Sequence, residues 1–335
     1  MASIRDVAKL AGVSITSVSK VINNDPNFAI SGDTKKKIFD AIEQLHYEIP
    51  NSYRTTKTSK YTIGCIQRLT VEGNKDNYFS TIAAGIKEQL TKSGKSLQFS
   101  LTQFDFESDD YKSMFQIYPY GLVLMGDISE EAFNFLKTKI QYIIGIDTPF
   151  EDIDNIRYNR YTAGVQAVEH LVECGHKKIA YIGSNISSDN IKNIGRFEAY
   201  MRVMRKNYLE IKPEWIINCN WHRDTCFNET IKLLENKENR PTAIFVASDQ
   251  MAIASMSAIH SLGLRIPEDI SVVAISDIVE SAYLTPPLTT VSIPQKEMGK
   301  LATELLLQRM NGDETITKEI YVPCKLIIRN SVKKL

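Results

Sequence analysis

A chain of 335 residues exceeds the size of one ordinary domain and can bury a large core, so two or three structural units are expected. Its 43% hydrophobic and 24% charged residues, with 40 basic against 40 acidic side chains, are the balance of a globular protein. No apolar run reaches bilayer length and the opening MASIRDV lacks the apolar core of a secretory signal, so membrane insertion is excluded and a cytoplasmic location is expected.

The first segment, SIRDVAKLAGVSITSVSKVIN, carries two short amphipathic patterns broken at Gly12. Ile4, Val7, Ala8 and Leu10 form one apolar stripe, Val13 crosses the turn, and Val18, Val21 and Ile22 form another at helical spacing. Glycine tolerates the backbone of a sharp reversal, and Ser14 is a ready N-cap for the second helix. Ile15, Thr16, Ser19 and Lys20 then lie on the outer face. They offer an apolar contact for a thymine methyl, hydroxyls, and a cation for guanine or phosphate, a set that suits a DNA groove. Ser3, Ser17, Asn23 and Thr34, at or near helix ends, complete the head's candidate DNA contacts with Ser14. Residues 1–60 hold nine basic and six acidic side chains, leaving 31 and 34 in the remainder. A weakly basic head on a weakly acidic body fits local attraction to phosphate.

The head is read as residues 1–50, followed by a polar, basic linker over residues 51–60, NSYRTTKTSK. From Tyr61 short apolar runs alternate with amphipathic stretches. YTIGCI precedes a helix near Tyr78 to Lys92, LQFSL a helix near Ser108, and GLVLM a helix near Ser129, before YIIGI closes the cycle. A second cycle runs from a helix near Tyr161 to Val172 through IAYIG, a helix near Asn190 to Lys206, WIIN, a helix near Arg223 to Glu235, AIFVA, a helix from Asp249 and SVVAIS. Strands alternating with helices predict parallel sheets, here two doubly wound lobes in series. Ligands in such sheets sit beyond the carboxyl ends of the strands, so a cleft between the lobes is the default site.

The head resembles the opening of the lac repressor and galactose repressor family, whose members carry a similar D-V-A-x-x-A-G-V-S run. SGDTKKKIFDAIEQLHY (Ser31 to Tyr47) is similar to the family's third head helix, and PTAIFVASDQMAI, IPEDISVVAISDI and PPLTTV are similar to its core signatures. The resemblance spans nearly the whole chain. It implies an α/β protein with an all-α helix-turn-helix head and two parallel-sheet lobes like those of periplasmic binding proteins. The chain would cross three times between the lobes, giving residues 61–160 and 290–318 to the first and 161–289 and 319–330 to the second. It further implies a homodimer on double-stranded operator DNA, a small sugar as effector, no cofactor and no catalysis. ISDI and VPCKLIIR lean toward the branch governing galactose and β-galactoside use, and the sequence carries no terminal coiled coil for a tetramer.

Effector contacts carry over residue by residue. Asp147 matches an acidic position that bonds sugar hydroxyls, the alternative being an exposed strand end. Arg196 matches a cleft arginine whose guanidinium fork can grip ring hydroxyls. Trp221 matches an aromatic residue that stacks on a pyranose, the alternative being a core tryptophan. Phe79, Ser248, Ser276 and Asp277 complete the set. Ser248 stands where many relatives have Asn, and Ser276 where many have a carboxylate. In the head, Lys20 replaces the usual Arg, a point charge for a planar fork. In the linker, SYRTTKT replaces the usual A-R-x-L-like run and leaves Tyr53 as the bulky candidate for a minor-groove wedge.

The sequence has no Gly-rich phosphate loop, G-x-S-x-G elbow or nucleophile–histidine spacing, so no enzyme is expected. Cys65, Cys174, Cys219, Cys226 and Cys324 include no C-x-x-C pair and read as reduced core thiols, and the five histidines show no metal-ligand spacing. Two further readings stay open: control by a protein partner, and co-repression by a non-sugar metabolite.

Overall fold

The computed structural model describes residues 3–22, 30, 32–45, 47, 62–69, 73, 76–106, 118–184 and 194–335. The chain divides into two units between Thr62 and Ile63. In the first, α1 (Ile4–Ala11), α2 (Ile15–Ile22) and α3 (Gly32–Gln44) enclose a small core of Val7, Ala8, Val18, Val21, Ile22 and Ile38. Gly12 adopts φ +67°, the left-handed backbone that lets α1 end and reverse. One stripe residue departs from expectation. Leu10 is exposed and Ala11 takes the inward place, because the α1 face that meets α3 includes positions 7, 8 and 11.

The second unit holds two six-stranded sheets. The first contains β1 (Ile63–Gln67), β2 (Leu97–Thr102), β3 (Gly121–Met125), β4 (Tyr142–Ile146), β5 (Asp154–Tyr158) and β11 (Glu319–Val322), in the order β11-β5-β4-β3-β1-β2 with every neighbour parallel. The second contains β6 (Ile179–Gly183), β7 (Ile216–Asn218), β8 (Ala243–Val246), β9 (Ser271–Ser276), β10 (Thr289–Ser292) and β12 (Lys325–Ile327), in the order β12-β10-β9-β8-β6-β7. Among the described residues only β12 runs antiparallel to its neighbour. Strands such as GLVLM are buried at every residue, as sheets covered on both faces require.

Helices α4 (Asn77–Lys92) and α5 (Glu130–Lys139) belong to the first lobe. The second has α6 (Arg160–Glu173), α7 (Ile194–Lys206), α8 (Arg223–Glu235) and α9 (Asp249–Ser261). Helix α10 (Gln295–Met310) returns to the first lobe and packs along α4. The approach is close enough to demand glycine on both sides. A Cβ on Gly85 would lie 2.1 Å from the Lys296 carbonyl oxygen, and one on Gly299 would lie 2.1 Å from that of Ile82. Arg309, near the end of α10, is buried against Asp154 with two N–H···O bonds of 2.6 and 2.8 Å, fixing this helix to β5.

The lobe boundaries need two corrections. Glu319–Val322 pairs with β5 in the first sheet rather than the second, and Thr289–Ser292 pairs with β9 in the second sheet. The last two crossings therefore fall between Ser292 and Gln295 and between Val322 and Lys325. The expected helix near Ser108 lies outside the described residues.

Candidate functional site

The strands of both lobes end at a cleft of about 150 Å³, many times the roughly 10–15 Å³ that one water needs. The cleft therefore has room for a ring-sized ligand. Local sequence sets its walls. Asp76 caps α4 by accepting from the Tyr78 N–H at 2.9 Å, which fixes the start of the helix and brings Tyr78 and Phe79 to the cleft. Asn159 caps α6 in the same way and sets Arg160 beside Tyr158. Ser248 caps α9, accepting from the Met251 N–H at 3.4 Å, and lines the cleft between β8 and the helix.

At the end of β4, Asp147 is buried with φ +54°, a backbone state costing on the order of 1–3 kcal/mol for a residue other than glycine. Its Oδ2 accepts from the Tyr78 hydroxyl at 2.6 Å. Its Oδ1 lies 3.3 Å from the Arg160 guanidinium yet accepts no hydrogen bond among the described residues. Burial and then the Asp147 charge push the Tyr78 phenol well above its usual range, so it stays a donor. Burial works against the charge on Arg160, but Asp147 and the two tyrosines outweigh it and hold the guanidinium protonated.

Arg196 on α7 is also buried and reaches the Tyr158 hydroxyl across the lobes. Its guanidinium sits 5.4 Å from the Trp221 ring centroid and 5.7 Å from that of Tyr158. Its Nε is buried and has no acceptor among the described residues. The cleft thus contains a buried Asp147 oxygen that accepts no hydrogen bond beyond its ion pair with Arg160, and a buried Arg196 N–H that donates none among the described residues. Such groups cost about 1–3 kcal/mol each unless a ligand or water satisfies them.

Six of the seven sequence-predicted effector residues line this cleft: Phe79, Asp147, Arg196, Trp221, Ser248 and Ser276. The exposed-strand-end reading of Asp147 fails because the side chain is buried. The core tryptophan is Trp215, fully buried, while Trp221 is half-exposed with φ +65°. Asp277 is a correction: its carboxylate accepts from Arg329 at 2.6 Å and does not line the cleft. Its left-handed backbone, φ +56°, turns the chain just after Ser276. The sequence reading missed Tyr78, Tyr158 and Arg160. Tyr78 could have been found as the neighbour of Phe79 at the first helix after β1. Tyr158 ends DNIRY, whose charged and amide residues hide a strand.

In the head, the Ser3 hydroxyl is taken up in a capping box with Asp6, and Ser14 accepts from the Ser17 N–H at 3.0 Å and bonds its hydroxyl at 2.8 Å. Ile15 is 44% exposed although apolar, and Thr16 beside it is exposed. Ser17, Ser19, Lys20 and Thr34 are half-buried; Asn23 and Tyr53 lie outside the described residues.

A three-helix head with an exposed reading helix and a bilobed parallel-sheet core with a polar cleft defines a ligand-responsive DNA-binding regulator. Residues 3–51 match the family described as bacterial regulatory proteins, lacI family, and residues 168–332 match the periplasmic binding protein-like domain. The chain is 32% identical to the HTH-type transcriptional repressor PurR of Mannheimia succiniciproducens, over all of both chains. It is 33% identical to the protein of the same name from Aliivibrio fischeri, over 99% of this chain and 98% of that one. The crystal structure of the lac repressor dimer bound to operator and the anti-inducer ONPF is similar with a TM-score of 0.69 and 26% identity, covering 99% of each chain. The chain belongs to the lacI family of bacterial regulatory proteins and is a DNA-binding transcriptional repressor of that family. The proteins it resembles are transcriptional regulators, not enzymes. No helix among the described residues is long and apolar enough to cross a membrane.

Proposed function

We propose that this repressor acts in the cytoplasm as a homodimer on a near-palindromic operator and that a small sugar held in the cleft governs its grip on DNA. The observation that carries the effector reading is the pair of buried polar atoms without a hydrogen bond among the described residues, Asp147 Oδ1 and Arg196 Nε, in one aromatic-walled cleft. A carboxylate oxygen needs a donor and a guanidinium N–H needs an acceptor. A hydroxyl is both, and adjacent ring hydroxyls can meet both groups while the apolar face of the ring rests on Trp221. The lac repressor dimer solved bound to operator and the anti-inducer ONPF supports pairing a DNA site with a small-molecule site on one chain. Galactose or a galactoside remains the first choice. Ser276, where many relatives have a carboxylate, removes one charged acceptor and favours a ligand with fewer donors on that side.

A second reading is a flat heteroaromatic metabolite, favoured by the rings of Tyr78, Phe79, Tyr158 and Trp221, which all line the cleft. A thermal-shift screen against free sugars, sugar phosphates and nucleobases separates the two. A saturating sugar raises the melting temperature on the first reading. A rise with nucleobases alone transfers the site to the second, and no rise with any sugar overturns the first.

The head reads DNA through Ile15, Thr16, Ser19 and Lys20, with Ser3, Ser14, Ser17, Asn23 and Thr34 around them and Tyr53 as the linker wedge. Two heads on one dimer reach two half-sites together, so the second binds at high effective concentration. Ligand binding then acts by favouring one arrangement of the lobes over another.

A further inference from the structure

Residues 219–226, CNWHRDTC, bring two cysteines together in the wall of the cleft. The turn is tight. The Cys219 N–H donates to the Gly183 carbonyl at 2.8 Å, the His222 N–H to the Cys219 carbonyl at 2.8 Å, and the Cys226 N–H to the His222 carbonyl at 3.0 Å. Asn220 and Trp221 pass through left-handed backbone at φ +46° and +65°, which folds the first turn of α8 back over Cys219. Both thiols end fully buried on the two sides of this one turn. Both also meet one residue, Met251. Cys219 Sγ is 3.0 Å from its Sδ, and Cys226 Sγ is 3.3 Å from its carbonyl oxygen. Met251 itself lines the cleft, as do Trp221 and Arg223 in the segment between the two cysteines.

The two sulfurs are not equivalent. Cys226 is within 3.2 Å of the Ser255 hydroxyl. Interaction with the Cys219 thiol, joined by that hydroxyl, draws the Cys226 thiol below its ordinary range, while interaction with Cys226 and burial raise Cys219. The Ser255 hydroxyl, 3.2 Å from the Cys226 sulfur, can donate to a thiolate there, so Cys226 is the sulfur placed to act as the nucleophile. None of the other three cysteines has a thiol beside it among the described residues. Cys65 pairs with the Ser100 hydroxyl at 3.3 Å, and Cys174 lies 3.9 Å from the His170 ring.

We propose that Cys219 and Cys226 form a reversible disulfide with hydrogen peroxide as oxidant, a modification site built into the Trp221 wall of the effector cleft. The Cys226 thiolate attacks one peroxide oxygen, an S–O bond forms, the O–O bond breaks, and the departing hydroxide is protonated to water. Cys219 then attacks the sulfenic sulfur and closes the S–S bond. Its proton leaves with the hydroxyl as a second water. Two thiols are oxidised to one disulfide and one peroxide is reduced to two waters. The cross-link closes a ring around Trp221 and Arg223 and fixes that side of the cleft, and a dithiol reductant reverses it.

Trypsin cuts between the two cysteines at Arg223, so the bond joins the peptides Asn207–Arg223 and Asp224–Lys232. The reduced full-length protein is exposed to dilute hydrogen peroxide in native buffer, unfolded in urea containing N-ethylmaleimide, digested and weighed. The expected product is the linked peptide pair, lighter by two hydrogen atoms than the two peptides together and split by dithiothreitol, with Cys65 recovered as its maleimide adduct. Recovery of Cys219 and Cys226 as separate maleimide adducts or separate sulfinic acids overturns the proposal, as does a linked pair that forms only when peroxide is added after unfolding. Cys226→Ser removes the nucleophile, and Cys219 is then expected to survive peroxide as its maleimide adduct; loss of that adduct in this variant also overturns it. The readout is a peptide mass, so it is indifferent to which ligand the cleft takes.

Discussion

On the outer face of the head, an apolar side chain, Ile15, is 44% exposed; in the cleft, two ionic side chains, Asp147 and Arg196, are buried with one polar atom each left without a hydrogen bond among the described residues. The two regions depart from the ordinary partition of apolar and polar groups in opposite directions. An exposed isoleucine costs little in water and gains by meeting a methyl group in a groove. A buried, unpartnered carboxylate oxygen or guanidinium N–H is costly and gains by meeting hydroxyls. The cleft therefore stores a cost when empty, and left-handed backbone at Asp147 and Trp221 adds to it. The cost in the cleft is shared by both lobes, because the Arg196–Tyr158 contact joins them.

The sharpest way to break this comparison is Arg196→Ala. It should abolish the ligand-induced thermal shift, a loss of about 2.7 kcal/mol of stabilisation at ligand one hundred times its Kd, while operator affinity measured without ligand is unchanged. A retained shift would mean that the Arg196 guanidinium is not a ligand contact. Next in size is Gly299→Ala. Its Cβ would collide with the Ile82 carbonyl, so the core should lose about 1–3 kcal/mol by chemical denaturation. Lys20→Ala should weaken operator binding about tenfold in a gel-shift titration and leave the thermal shift intact. A loss of equal size on random DNA would assign Lys20 to phosphate rather than to a base.

The smallest effect is on a pH slope. Burial raises the Asp249 carboxyl from 3.8 to about 6, against the hydrogen bonds from Ser281, Thr290 and the Ile278 N–H that favour its ionised form. A carboxyl whose folded value is raised contributes stability that is fully present below pH 3.8 and is lost as pH rises through about 6, because the unfolded chain releases the proton first. Denaturation at a series of pH values should show a component that falls over that window in the wild type and is missing in Asp249→Asn. Parallel curves for the two proteins would contradict it.

Much of this was legible in the residues. GLVLM, IAYIG and SVVAIS are continuous apolar runs and sit as central strands, because parallel sheets bury both faces. Gly12 and Ser14 marked the head's turn and cap. Among the strands that escaped notice are DNIRY and EIYV, whose charged side chains are neutralised only in the fold. Asp154 meets Arg309, 155 residues away, and Arg157 meets Glu319. Sequence spacing carries no trace of such long-range pairs. For the same reason Asp277 looked like a cleft carboxylate, since its partner Arg329 is 52 residues distant and supplied by a strand that crosses back late. Tyr78, Tyr158 and Arg160 were hidden because a tyrosine or arginine at the end of a strand or the start of a helix has many uses; their convergence near Asp147 exists only in three dimensions.

The central claim is that the cleft and the head are thermodynamically linked. It is tested most directly by fluorescence anisotropy of a labelled operator, titrated with the full-length protein in the absence and in the presence of a sugar that saturates the thermal shift. The account predicts a change in operator Kd of roughly fivefold or more, the lower end of ordinary allosteric coupling, and the same factor in the sugar's own affinity when operator is bound. Operator Kd that stays constant while the cleft is demonstrably occupied would contradict it.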